Sequence, residues 1–331
     1  MAEQVIYFGA PGTGKSHLVK EKLKGISSDK IFRVTIHPEY SYSDFVGQLL
    51  PEENSSTGSV EFRFKPGPFT RALIEAFNDF SKDVFLILEE MSRGNVAAIF
   101  GDLFQLLDRD EYFKSMYPIR NKEIADQIVQ LATDEIYLPS NFNIIGTVNV
   151  NDQNVFPMDT AFKRRFDWVY VSTRPAEDQN KTRLKKLNNP KIKVAIDDNR
   201  SNDLETTWQS FYSAINIFIT DKEKGLGLSE DKQIGQFFIN FGKQLTIDSH
   251  SNVNSTAQNA ENKINNIIKN KLLLYLWQDV QGSISFNTTG KLFANEITSF
   301  NILYERYGEN RVFSEIFIED FLKPNINKYP Y

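Results

Sequence analysis

Residues 9 to 16 read Gly9-Ala10-Pro11-Gly12-Thr13-Gly14-Lys15-Ser16, directly after the apolar run Val5-Ile6-Tyr7-Phe8. This is G-x-x-x-x-G-K-S between an expected strand and an expected helix, the setting in which the pattern cradles phosphate. Gly9, Gly12 and Gly14 let the backbone turn tightly and aim its N–H groups at phosphate oxygens. Lys15 sets a point charge between the β- and γ-phosphates. Ser16 offers a hydroxyl to Mg²⁺, and His17 follows in a helix whose positive end faces the anion. Residues 9–17 are therefore the expected binding set for a nucleoside triphosphate. A Gly-rich turn that binds nothing is the bland alternative. The preceding strand and the Leu18, Val19, Leu23 spacing count against it.

A second constellation lies at Phe85-Leu86-Ile87-Leu88-Glu89-Glu90, an apolar strand ending in two carboxylates. Successive strand residues point to opposite faces, so the two acids are expected to hold different roles. Glu89 is assigned to the Mg²⁺ shell with Ser16, and Glu90 to polarising the attacking water. The next apolar strand, Phe142–Val148, ends in Asn149-Val150-Asn151-Asp152. Asn149 at that tip can orient the water, and Asp152 is close enough to assist; a plain polar turn is the competing reading. Further on, Asp159-Thr160-Ala161-Phe162-Lys163-Arg164-Arg165-Phe166 ends a short expected helix in three cations. Cations suit a helix C-terminus. Alternatively one of them reaches a neighbouring subunit's phosphate, with Arg164 and Arg165 ranked above Lys163 because a guanidinium forks phosphate bidentately.

These residues need a scaffold, and the chain has one. It has 331 residues, long enough for about two domains. Apolar residues make up 40% and charged residues 24%, the usage of an ordinary water-exposed globular protein. A net charge of −5 supplies no global basic field toward nucleic acid or anionic membrane. Cysteine is absent, which excludes a disulfide framework and fits a reducing cytoplasm. His17, His37 and His250 have no metal-ligand spacing. Met1-Ala2-Glu3 leads straight into a strand, so no signal peptide is expected, and Leu272–Trp277 is too short to span a bilayer.

Strands are expected at Ile31–Ile36, Val84–Leu88, Phe142–Val148 and Trp168–Val171, with helices at Ser16–Leu23, Tyr42–Leu50, Phe69–Phe80 and Val96–Leu107. Such alternation argues for an α/β parallel sheet flanked by helices. Val60–Lys65 alternates apolar and charged residues and is expected as a small hairpin before the turn at Pro66-Gly67-Pro68. Beyond Arg174-Pro175, helices are expected at Glu177–Leu187, Leu204–Ile219, Ile234–Leu245 and Ala260–Gln278, with exposed loops at Asn188–Asp203 and Asp248–Asn262. The expected division is a nucleotide-binding core over 1–173, a helical lid over 174–281, and a C-terminal extension over 282–331 packing on the lid or a partner.

With these residues in place, the sequence resembles the AAA+ proteins, and among them the McrB family, motor subunits of McrBC-type restriction systems. The resemblance rests on Gly9–Ser16; His37-Pro38-Glu39-Tyr40-Ser41-Tyr42-Ser43-Asp44-Phe45-Val46; Lys65–Phe69; Glu89-Glu90-Met91-Ser92-Arg93-Gly94-Asn95; Phe100-Gly101-Asp102; Asn149–Asp152; Phe156–Phe166; Ile234-Gly235 with Phe237-Phe238; and Lys271–Asp279. It implies an AAA+ P-loop core with a helical lid, Mg²⁺ as cofactor, and a homo-oligomeric ring, a hexamer, in which an Arg acts on the neighbour's nucleotide. It further implies a nuclease partner of the McrC type, and DNA reached through a recognition domain missing here or carried by another subunit. GTP rather than ATP is implied as fuel. A guanine-reading Asn-Lys-x-Asp does not occur, since Asn121-Lys122-Glu123-Ile124 ends in Ile. Where the family carries Asp before the catalytic Glu, this chain has Glu89, and Gln153 stands where the family has Arg. A sensor Arg is not found around Ile234-Gly235-Gln236. Tyr40 and Tyr42 read as packing aromatics; Arg93 reads equally as a loop cap or as a contact to a neighbour's nucleotide. The alternatives are a MoxR-like AAA+ ATPase that remodels partner proteins, and a scaffold in which nucleotide only holds the fold.

Overall fold

The runs Val84–Leu88 and Phe142–Val148 show no polar alternation, so both of their faces must be covered. The computed structural model, which describes residues 2–53, 58–149, 156–175, 188–198, 202–242, 257–284 and 290–329, places them at the centre of a sheet. The strands in chain order are β1 (Gln4–Gly9), β2 (Ile31–Thr35), β3 (Gly47–Glu53), β4 (Val60–Pro66), β5 (Val84–Glu89), β6 (Ile119–Arg120), β7 (Glu135–Ile136), β8 (Phe142–Asn149) and β9 (Asp167–Tyr170). The main sheet has five strands in the order β2-β5-β8-β1-β9. The pairings β2–β5, β5–β8 and β1–β9 are parallel, as buried βαβ units require.

Alternation along these strands divides the core. Leu86, Leu88 and Ile144 pack on one face with Phe69, Leu73 and Phe100. Phe85, Ile87 and Ile145 pack on the other with Val19 and Leu23, around the helix α1 (Lys15–Lys22). The first face carries a chain of rings in which Phe100 contacts Phe45 and Phe162, and Phe162 stacks on Phe104 and Phe166. Helix α2 (Tyr42–Val46) starts with a capping box in which Ser41 and Asp44 bond reciprocally. The Tyr42 hydroxyl donates to Asp102 at 2.9 Å, fastening this block to the segment after Phe100. That is the packing role expected of Tyr42.

Several expected elements end differently. The helix expected over Tyr42–Leu50 stops at Val46, and Gly47–Glu53 pairs antiparallel with Val60–Pro66. Gly47 has φ 130°, and a Cβ there would lie 2.5 Å from the Lys65 carbonyl oxygen, so only glycine lets the ribbon close. The expected Val96–Leu107 helix is α-helical to Phe100 and 3₁₀ over Gly101–Leu107.

Two compact units divide the described residues: Met1–Phe8 with Lys15–Tyr170, and Gly9–Gly14 with Val171–Tyr331. In the second, Leu204–Thr207 is a strand paired with Lys191–Val194, inside the stretch expected as a loop, and the helix begins at Trp208. Thr207 caps it, its hydroxyl accepting from the Ser210 N–H. Trp208, Phe211 and Phe218 share one core with Phe293, Phe313, Phe317 and Phe321, so the C-terminal stretch packs on this helix. Residues 234–238 form a turn rather than the start of the expected helix Ile234–Leu245. The helix expected over Ala260–Gln278 runs as Ala257–Ile268 and continues through π-helical turns to Val280. The expected helix Glu177–Leu187 lies outside the described residues. Among the described residues, no helix is long and apolar enough to cross a membrane.

Phe162 is fully buried at the centre of its ring cluster. Phe162→Ala is expected to lower the unfolding free energy by about 3–5 kcal/mol in urea titration; a loss below about 1 kcal/mol would show that the cluster does not support the fold.

Candidate functional site

Lys15 opens α1 and is 8% exposed. Burial pushes its ammonium down to about 8, and the Glu90 carboxylate opposes that shift only in part. Ser16 follows, and its hydroxyl donates to Glu89 Oε2 at 3.0 Å. The Thr147 hydroxyl donates to the same oxygen at 2.7 Å, while Arg33 pairs with Glu89 Oε1. The Ser16–Glu89 spacing is that of two adjacent ligands on an octahedral ion with bonds of about 2.1 Å, and both donors are hard oxygens. The residues present therefore fit Mg²⁺. Among the described residues, no cluster of three or more His, Asp or Glu could hold a metal unaided.

Glu90 has already left the strand. It adopts φ 56° and ψ 41°, a left-handed conformation that a non-glycine residue holds only at a cost. The two acids are thus separated by a backbone turn, where strand alternation was the expected cause. The Asn149 amide donates to both Glu90 oxygens, at 3.2 and 2.9 Å. The Glu90 N–H donates to the Thr147 hydroxyl at 3.3 Å. Arg93 Nε lies 3.6 Å from Glu90 Oε2. Asp152 lies outside the described residues.

The two candidate finger arginines part company. Arg165 pairs with Asp108 at 2.5 Å, donates to the Ala161 carbonyl at 2.8 Å, and stacks its guanidinium 4.0 Å from the Phe104 ring centroid. Its side chain is 10% exposed. These contacts hold the Arg165 side chain against Asp108 and its own helix. Arg164 and Lys163 are exposed at the end of the helix Thr160–Lys163, which Asp159 caps. Arg33 and Thr147 went unnoticed in the sequence. The available signal was a polar side chain within an apolar strand run.

The segment Gly9–Gly14 belongs to the second unit, where a turn holds it. The Pro11 carbonyl accepts from the Gly235 N–H at 2.9 Å, and the Gly12 carbonyl from the Phe237 N–H at 2.8 Å. A Cβ on Gly12 would lie 2.3 Å from the Phe238 nitrogen, so no side chain fits there. The turn is itself braced. Asn216 bonds Ile234 through both its amide groups, at 2.8 and 2.9 Å, and the Trp208 indole donates to the Gln236 carbonyl at 2.8 Å. His17 is exposed on α1.

Residues 4–166 match the AAA domain of the dynein-related subfamily. Over 339 aligned residues the chain is 32% identical to the type II restriction enzyme BsuMI component YdiS of Bacillus subtilis (strain 168), covering 93% of this chain and 87% of that protein. It is 27% identical over 175 residues to the type IV methyl-directed restriction enzyme EcoKMcrB subunit of Escherichia coli (strain K12). That alignment spans 51% of this chain and 35% of the other.

The two arginines make a direct comparison. Arg165→Ala strands Asp108 and is expected to lower stability by about 2–3 kcal/mol, whereas exposed Arg164→Ala should stay within about 0.5 kcal/mol of the parent. Denaturant unfolding of both variants checks this, and equal losses would contradict it.

Proposed function

From membership of the McrB-like AAA+ family, to which this chain belongs, we propose that it is a ring-forming nucleoside triphosphatase, the motor subunit of a restriction or defence nuclease complex. The ring is proposed as a hexamer, its partner as a nuclease subunit of the McrC type, and DNA as reached indirectly. GTP is the proposed fuel, on family likeness alone; ATP is the alternative.

The observation that carries this reading is the division of the two acids: Ser16 and Thr147 on Glu89, the Asn149 amide on Glu90. In the proposed reaction the N–H groups of residues 9–14 and Lys15 bind the phosphate oxygens. Ser16 and Glu89 would hold Mg²⁺, which would supply positive charge against the phosphate oxygens. Glu90 accepts a hydrogen bond from the attacking water and draws its proton, while Asn149 fixes the carboxylate plane so that one lone pair faces that water. Arg164 of an adjacent copy supplies the charge that stabilises the transferring phosphoryl group. Because that charge comes from an adjacent copy, assembly and turnover are coupled.

GTP and ATP hydrolysis measured in parallel against protein concentration tests the reading. Turnover per subunit should rise as the oligomer forms, and more with GTP. Arg164→Ala should remove most of that rise, on the order of 10³-fold at saturation. Turnover that stays flat from monomer to oligomer, or that survives in Arg164→Ala, would contradict the proposal.

A further inference from the structure

Arg33, Glu89 and Thr147 come from three adjacent strands, β2, β5 and β8. The register sets Arg33 opposite Ile87 and Thr35 opposite Glu89, so Arg33 and Glu89 are diagonal neighbours on one sheet face. Ile87 and Ile145, two residues before Glu89 and Thr147, pack with Val19 and Leu23 of α1. The row Arg33–Glu89–Thr147 therefore lies on the face that carries α1, at the end where Ser16 begins that helix. The Glu89 side chain is 13% exposed and that of Arg33 41%, because β2 is an edge strand.

Each Glu89 oxygen has its own partners. Oε1 takes Arg33; Oε2 takes Ser16 and Thr147. A glutamate has three rotatable side-chain bonds, and its terminal carboxylate turns over a broad, two-fold potential. Holding Oε2 on Ser16 means restraining that rotation. Ser16 and Thr147 both grip the inner oxygen, and two hydroxyls on one oxygen leave the carboxylate free to pivot about it. Arg33 stops the pivot from the far side. We propose that Arg33 is a positioning residue for Mg²⁺ binding: it fixes the Glu89 carboxylate so that Oε2 stays on Ser16. This rests on the reading of Glu89 as the Mg²⁺-shell acid. Arg33 also carries a positive charge near the ion's seat, which by itself disfavours a cation. That charge is two-fifths exposed and screened by solvent, so orientation outweighs repulsion.

The test titrates Mg²⁺ into the full chain with fluorescent N-methylanthraniloyl-GTP and, separately, the ATP analogue, reading nucleotide binding rather than turnover. Arg33→Met should raise the Mg²⁺ concentration at half-saturation about tenfold and leave nucleotide affinity in EDTA within about twofold. Arg33→Lys, which keeps charge without the planar fork, should recover part of the shift. Glu89→Ala should raise the midpoint at least as far, and Arg33→Met added to Glu89→Ala should change nothing more, because Arg33 acts through Glu89. If Glu89→Ala shifts the midpoint while Arg33→Met leaves it within twofold of the parent, the Arg33 role is refuted. An equal further shift in the double variant refutes it too. If Glu89→Ala leaves the midpoint unmoved, the assignment of Glu89 itself fails. Should Arg33→Met not fold by thermal unfolding, Arg33→Gln carries the same expectations.

Discussion

One left-handed residue organises the acidic end of this site. Glu90 sits at φ 56° directly after β5, and that turn separates its carboxylate from that of Glu89. A left-handed glutamate costs of order 1–3 kcal/mol and persists only where its surroundings over-determine it. Here they do so. The Glu90 N–H is held by Thr147, its carboxylate by Asn149, and the next residue, Met91, is fully buried. Thr147 is shared, since its hydroxyl donates to Glu89 and accepts from Glu90. One side chain of β8 thus ties both acids to the sheet.

The sheet holds these groups because its central strands are buried on both faces and cannot slide. A one-residue slip of β8 against β5 would turn Ile144 to the face that carries α1 and carry Thr147 away from both acids. The phosphate segment Gly9–Gly14 is secured differently. Backbone N–H groups of Gly235 and Phe237 occupy its carbonyls, and close approach at Gly12 excludes any side chain. The turn thus takes two of its carbonyls, those of Pro11 and Gly12.

What sequence reading reached follows from locality. The phosphate loop, the paired acids and Asn149 stand in contiguous motifs next to apolar strands, and their chemistry is legible from residue type and spacing. Arg33 and Thr147 act across strands, where only the register brings them to Glu89. The choice between Arg164 and Arg165 was equally hidden, because Asp108, which claims Arg165, lies 57 positions away. The β3–β4 ribbon differs from the expected hairpin within Val60–Lys65: that stretch is one strand, and its partner Gly47–Glu53 is hidden because Leu49-Leu50 continues the apolar spacing of α2 through Gly47. The turn at 234–238 departs from the expected helix for a similar reason: Ile234, Phe237 and Phe238 have helical spacing, yet Asn216 holds Ile234 and Trp208 holds the Gln236 carbonyl.

The central claim is that the two carboxylates do separate work. Glu90→Gln is isosteric and keeps an acceptor for Asn149, so it isolates the loss of the base. Triphosphate affinity by calorimetry, set beside steady-state turnover of the same preparation, is the direct measurement. Affinity is expected to stay within about threefold while turnover falls by about 10²–10⁴. Turnover that survives the substitution, or affinity that collapses with it, would contradict the division of roles.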